Sequence, residues 1–180
     1  INKNLKNFFE LNLICHSYLP NWRKNRDYKK SYTAFTERGG GVINDLSHEI
    51  DMAIKLTNKI SIQRSSFSKI SNLKINSEDN FFALCRRNFN QKITIDLNYY
   101  SKLETRIIKF SNANISLLGD FIKNEVLINE NGKVKRLRFK SKLNTYQNLV
   151  HDFIFNNGEN CAKFTDGILV NKFIQQVKKI

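Results

Sequence analysis

The chain is poor in the residues that punctuate and cross-link small proteins. It has one proline, one tryptophan, one methionine, three cysteines and seven glycines in 180 residues. Cys15, Cys85 and Cys161 are an odd number, far apart, with no Cys-x-x-Cys pair. That pattern argues against a disulfide framework or a zinc-binding spacing and fits buried thiols in a reducing, cytoplasmic setting. No metal site is expected. No apolar run approaches the ~18 residues of a membrane span, and no leader-like segment opens the chain. No Gly-x-Gly-x-x-Gly or phosphate-loop fingerprint occurs anywhere. The first residue is Ile1, not Met, so the chain is expected either to begin inside a longer protein or to have lost its start.

Acidic residues are also scarce: 30 Lys and Arg stand against 16 Asp and Glu, a net charge of +14. Such a surplus invites nucleic-acid binding. Its distribution argues the other way. Lysine outnumbers arginine 21 to 9, and 25 asparagines accompany it, a bias spread over the whole chain. No zinc-finger, helix-turn-helix or RNA-recognition pattern is present. The expected partners therefore include neither nucleic acid nor membrane. A basic surface drawing a phosphorylated small substrate fits better.

A length of 180 residues suits one domain with its own core. Residues 2–9 suggest the end of a short helix. A strand is expected around 11–19, closed by Pro20, and then a long polar loop over 20–38. Ile43, Leu46, Ile50, Ala53 and Ile54 recur at helical spacing and predict one helix from about Val42 to Thr57. The period then changes from 3.6 to 2. Ile93, Ile95, Leu97 and Tyr99 alternate with Lys92, Thr94, Asp96 and Asn98, a clear strand. Similar segments lie near 60–68, 80–87, 104–111, 113–118, 124–129 and 133–140. Asn131-Gly132 is a tight-hairpin signal, and residues 112–114 and Gly119-Asp120 are expected turns. Glu78 and Asp79 also read as turn residues. Short links between successive strands require largely antiparallel pairing. Two closing helices carry Tyr146, Leu149, Val150, Phe153 and then Leu169, Phe173, Ile174, Val177, with Thr165 as a possible N-cap. The fold class is α+β: a large open, mostly antiparallel sheet with helices packed on one face. Apolar positions on both sides of several strands predict a homodimer through the open face.

The segment with most chemical content is residues 39–51, Gly-Gly-Gly-Val-Ile-Asn-Asp-Leu-Ser-His-Glu-Ile-Asp. A triple glycine enters a helix, and Asp45 and His48 fall three apart on neighbouring positions of one helical face. A carboxylate beside an imidazole can move a proton. Each also has a structural reading: an acid is favoured in a first helical turn regardless of chemistry, and a single helix histidine fits ordinary packing. The glycines permit either a ligand's approach or a plain loop entry. Tyr18, Trp22, Arg23, Arg26, Tyr28 and Tyr32 give the preceding loop the makings of a sugar or phosphate surface, or of a cover for the sheet edge. His16 and His151 read as structural.

These residues together, from Ser17-Tyr18-Leu19-Pro20-Asn21-Trp22 through Asp27-Tyr28 to the Gly39–Asp51 string, resemble the C-terminal domain of the Gfo/Idh/MocA oxidoreductases, the relatives of glucose–fructose oxidoreductase and inositol dehydrogenase. The resemblance spans essentially the whole chain. It implies that residues 1–180 are a single substrate-binding and dimerisation domain that follows an NAD- or NADP-binding Rossmann domain in the intact enzyme. It implies hydride transfer at an alcohol or carbonyl carbon of a sugar or nucleotide sugar. Asp45 and His48 would be the catalytic pair, with histidine exchanging the proton and aspartate orienting it or the substrate. Tyr18, Trp22 and Arg23 would bind substrate. The usual family spacing is four residues from aspartate to histidine; here it is three. The Rossmann half is not within these residues, so the 180-residue chain alone is expected to turn nothing over. The competing expectation is a non-catalytic, homodimerising binding or assembly module.

Overall fold

The computed structural model describes residues 7–139, 145–159 and 161–179; most of the short helix expected over 2–9 lies outside them. Eight strands form one sheet: β1 (Glu10–Tyr18), β2 (Ser61–Ser68), β3 (Asn80–Arg86), β4 (Lys92–Asn98), β5 (Tyr100–Ser111), β6 (Ile115–Asp120), β7 (Glu125–Glu130) and β8 (Lys133–Arg138). Their order is β2-β3-β4-β1-β5-β6-β7-β8. Every pairing is antiparallel except β1 with β4. The chain leaves β4, crosses the C-terminal end of β1 through Tyr99, and returns as β5 on the far side. Leu19 N–H donates to the Tyr99 carbonyl at 2.9 Å and closes that crossing.

Alternation explains the two faces. Leu11, Leu13 and Cys15 of β1, Phe81, Ala83 and Cys85 of β3, and Ile93, Ile95 and Leu97 of β4 are buried on one side. Asn12, Ile14, Thr94, Asp96 and Phe82 take the other, open side. Each fully buried Leu or Ile contributes about 1.5–3 kcal/mol, so this face is where the fold is held. Asn112 accepts from the N–H groups of Asn114 and Ile115, fixing the β5–β6 turn. Asn131 and Gly132 have φ of 51° and 80°, matching the tight hairpin expected there.

Four helices accompany the sheet: α1 (Val42–Asp45), α2 (Ser47–Thr57), α3 (Thr145–Phe155) and α4 (Phe164–Val177). The single helix expected over 42–57 is therefore two. Leu46 breaks it, with φ −101° and ψ 21°. Helix α1 lies on β3 and β4, α2 on β1 and β4, and α4 on α2 and β2. Phe173 and Val177 of α4 are buried as expected, whereas Leu169 is exposed. The helix starts at Phe164, not after Thr165, because the Asp166 carboxylate accepts the Lys163 N–H at 2.8 Å. The stripe Tyr146–Leu149–Val150–Phe153 of α3 forms a helix but is exposed. On the helix-bearing face of β5–β8, Ile108, Phe110, Leu117, Val126, Ile128 and Leu137 line an apolar trough of about 560 Å3. Gly119, expected in a turn, is a buried strand residue of β6 instead: it pairs Ile108 and Val126, and an added Cβ would press Ile108 Cγ2 at 2.9 Å.

Candidate functional site

The C-terminal end of β1, the 19–38 loop and α1 converge on one place. The loop is not irregular throughout. Short 3-10 turns at Leu19–Asn21, Tyr28–Lys30, Tyr32–Ala34 and Thr36–Arg38 fold it back, and Thr33 and Ala34 are buried anchors. The Asp27 carboxylate accepts the Lys29 N–H at 3.1 Å and starts the second turn.

Two of the three glycines, Gly40 and Gly41, serve the protein's own packing. An added Cβ at Gly40 would overlap the carbonyls of Tyr32 and Thr33; at Gly41 it would overlap the Glu78 carboxylate. Gly41 has φ +122°, a conformation open to glycine. Val42 N–H donates to the Glu78 carbonyl at 3.0 Å. Glu78 and Asp79, read as turn residues, are buried. Burial pushes the Glu78 carboxyl up, against the pull of the Ile43 N–H and of Lys178, whose Nζ is 3.7 Å away. Asp79 is held down: burial alone would raise it, but bonds from Ile70 N–H, Ser71 and Lys69 outweigh that.

Asp45 ends α1. Its Oδ1 accepts the Tyr32 hydroxyl at 2.9 Å, and its Oδ2 accepts the Tyr99 hydroxyl at 2.6 Å. Tyr99 is fully buried. Both phenols are pushed up, Tyr32 chiefly by its bond to Asp45 and Tyr99 chiefly by burial, so both stay protonated donors. Trp22 stands edge-on to Tyr99 with ring centroids 5.2 Å apart, and its Nε1–H donates to Ser17 Oγ at 3.0 Å. Tyr32 in turn lines a hollow of about 390 Å3 with Leu19, Trp22, Arg23, Arg26, Tyr28 and Lys30. Trp22 and Arg23 thus share a hollow next to the aspartate. Tyr18 is not among its lining residues. It faces the Lys102 ammonium at 6.0 Å, beside its partner Tyr100 of β5.

His48 belongs to a different network. It lies past the break, half exposed, with Nε2 3.2 Å from Glu49 Oε1. Glu49 is fully buried, and the same oxygen takes Arg106 Nε at 2.7 Å. Arg106 projects from β5 opposite Cys15 of β1. His48 lines a second hollow, of about 430 Å3, with Asn44, Ser47, Asp51, Asp166, Asn171 and Ile174, between α2 and α4. The structure therefore gives Asp45 and His48 separate partners and separate hollows.

Among the described residues, Cys15, His48 and Glu49 bring three metal-type ligand atoms within 4.8 Å of one another. The chemistry there favours an ion-pair network. Arg106 already neutralises Glu49, and burial together with the Glu49 charge pushes the Cys15 thiol up to about 12. A thiol so placed keeps its proton. A nicotinamide cofactor has no seat among the described residues either: the sheet lacks a parallel strand–helix–strand crevice, and the glycine-led α1 is one turn long.

Sequence reasoning missed Tyr99, Glu49 and Arg106. The signal for Tyr99 was present: a tyrosine in a buried strand position must find a partner for its hydroxyl. Arg106 shares a strand face with Phe110 and Ile108, and an inward-facing cation calls for a buried acid.

No family model and no curated protein matches the chain. Solved structures do. A dehydrogenase (MviM) from Clostridium difficile is 19% identical, with a TM-score of 0.66 over 98% of this chain and 57% of its own. UDP-N-acetylglucosamine 3-dehydrogenase GnnA from Acidithiobacillus ferrooxidans is 14% identical, with a TM-score of 0.70 over 97% of this chain and 54% of its own. A levoglucosan dehydrogenase, solved with NADH and levoglucosan, is 11% identical, with a TM-score of 0.72 over 97% and 58%. The chain spans a little over half the length of each, and at these identities the likeness is one of fold. No helix among the described residues is long and apolar enough to cross a membrane. The described residues share the open-sheet fold that these dehydrogenases carry over that part of their length.

Proposed function

We propose that the chain is the substrate-side domain of an NAD(P)-dependent oxidoreductase acting on a sugar or nucleotide sugar, with the dinucleotide carried by a separate Rossmann domain. The observation that carries this reading is Asp45. Its carboxylate is fixed by two protonated tyrosines, one of which, Tyr32, lines a hollow of substrate size with Trp22 and Arg23. Each carboxylate oxygen keeps a lone pair for a substrate hydroxyl. Asp45 orients the reacting alcohol. His48 exchanges its proton: the buried Glu49 carboxylate beside Nε2 favours the tautomer protonated there and leaves Nδ1 as the base. The three-residue spacing and the break at Leu46 mean that the two act from separate hollows rather than from one helical face. Tyr18, Trp22 and Arg23 are the proposed substrate-binding set, Tyr18 from its outer position on β1. The open face of the sheet, with Ile14, Ile107, Leu118 and Leu127 on it, is proposed as a homodimer surface; a monomeric mass by light scattering at micromolar concentration refutes that part.

The test is turnover by the two-domain protein with a panel of sugars and sugar nucleotides, followed by Asp45→Ala and His48→Ala. Loss of a positioned acid or base costs about 10²–10⁴ in kcat. The reading expects drops in that range, over and above the ~1–3 kcal/mol of stability that Asp45→Ala loses by leaving the buried Tyr99 hydroxyl unpaired. Full turnover in both variants removes the pair from the chemistry, and turnover by the 180-residue chain alone refutes the division of labour between domains.

A further inference from the structure

We propose that the hollow between Trp22 and Thr33 is a phosphate-binding subsite, so that the substrate carries a diphosphate or comparable dianion and is not a neutral sugar. This rests on the reading that the hollow is the substrate side of the domain. Three cations line it, Arg23, Arg26 and Lys30. Among the described residues no carboxylate lies within ion-pair distance of any of the three. The one acid in the lining, Asp27, is already engaged by the Lys29 N–H at 3.1 Å and its Nζ at 3.7 Å. Three unneutralised cations on one short loop repel each other, and an anion of two or more charges relieves that repulsion.

The residue types agree. Arginine forks match phosphate oxygens two at a time, and lysine adds a point charge. A neutral hexose needs neither. Trp22, Tyr28 and Tyr32 line the same hollow and offer ring faces and hydroxyls to the rest of a ligand. Its volume of about 390 Å3 falls within the range of small-molecule sites and exceeds what a lone phosphate fills. The cations belong to the 19–38 loop, while Asp45 is reached through Tyr32. A ligand anchored by its phosphates at the loop would therefore extend its uncharged part toward the aspartate. Gly40 and Gly41 take no part in holding the anion, since they are closed off by the carbonyls at 32–33 and by Glu78.

The test is calorimetric titration of the 180-residue chain with uridine diphosphate, inorganic pyrophosphate and glucose at low and at physiological salt. Both phosphate compounds are expected to bind, the nucleotide at least as tightly, with glucose giving no heat. Binding should weaken as salt rises. The double variant Arg23→Gln/Arg26→Gln should lose about tenfold or more in affinity for both phosphate compounds. Its circular dichroism and melting point should stay unchanged, because both side chains are exposed and neither makes an ion pair. Unchanged phosphate affinity in that variant overturns the proposal, as does glucose binding as tightly as the nucleotide, or the absence of binding by both phosphate compounds. The oxidoreductase reading fails separately: intact phosphate binding with no turnover by the two-domain protein on any alcohol sinks that reading and leaves the subsite standing. Turnover of a neutral sugar with no phosphate binding does the reverse.

Discussion

Replacing Gly41 by alanine tests how the entry to α1 is built. Two costs add. The backbone at Gly41 has φ +122°, where an L side chain is strained by roughly 1–3 kcal/mol. The new methyl would also fall on the Glu78 carboxylate. That group cannot swing away freely, because it is buried and pulled by the Ile43 N–H and Lys178. Displacing it leaves a buried acid with poorer partners, about 1–3 kcal/mol more. Gly41→Ala should therefore cost roughly 2–6 kcal/mol of a total on the order of 5–15. Urea unfolding followed by Trp22 fluorescence reads it directly. The double variant with Glu78→Ala separates the terms. Removing the carboxylate should return the collision part and leave the backbone part, giving a coupling of at least ~1 kcal/mol. A Gly41→Ala loss below ~0.5 kcal/mol, or strict additivity with Glu78→Ala, would refute the account of the glycine run as an internal packing device.

Two further outcomes follow from buried titratable groups. Asp79 has a folded pKa below its ordinary 3.8, so its contribution to stability is present above about pH 4 and is lost as pH falls through the folded value. Glu78, raised by burial, has the opposite sign, so the measurement is the difference between wild type and Asp79→Asn. The variant should be less stable at pH 7 and show a shallower acid limb; parallel pH curves would contradict this. Burial pushes the thiols of Cys15 and Cys85 up to about 12, whereas Cys161 is only partly covered. A disulfide reagent at pH 8 should titrate one thiol in the native chain and three in denaturant, and a fast second native thiol would show that one strand position is open.

Most of the sheet was legible because strand burial has period 2 and the turns carry Asn and Gly. The strand expected over 92–99 and the hairpin at Asn131-Gly132 needed nothing more. What escaped was set by tertiary context. Gly119 looks like a turn residue, yet it is placed in β6 by the crowding of Ile108. The stripe of α3 predicts a helix correctly but says nothing of what covers it. At the site, the aspartate and the loop aromatics were found together because they are close in sequence. The break at Leu46 was not legible, since 42–57 keeps its helical spacing on both sides of it. Its effect is large: it assigns Asp45 to the tyrosines and His48 to Glu49. The partners that decide this, Tyr99 and Arg106, lie 54 and 57 residues from the groups they bind.

The insertion of β1 between β4 and β5 has a consequence for how the molecule assembles. Strands β2–β4 and β5–β8 are each meanders whose neighbours are close along the chain, so each can zip locally and quickly. In the folded sheet neither pairs with the other. The link through Tyr99 spans the width of β1, and the slot between β4 and β5 is filled by that strand, made some eighty residues earlier. β1, the earliest of these eight strands along the chain, pairs with both meanders and alone welds them. Deleting it should leave two separable ribbons with sticky edges rather than a weakened sheet, and the aspartate would lose the crossing that delivers its second tyrosine.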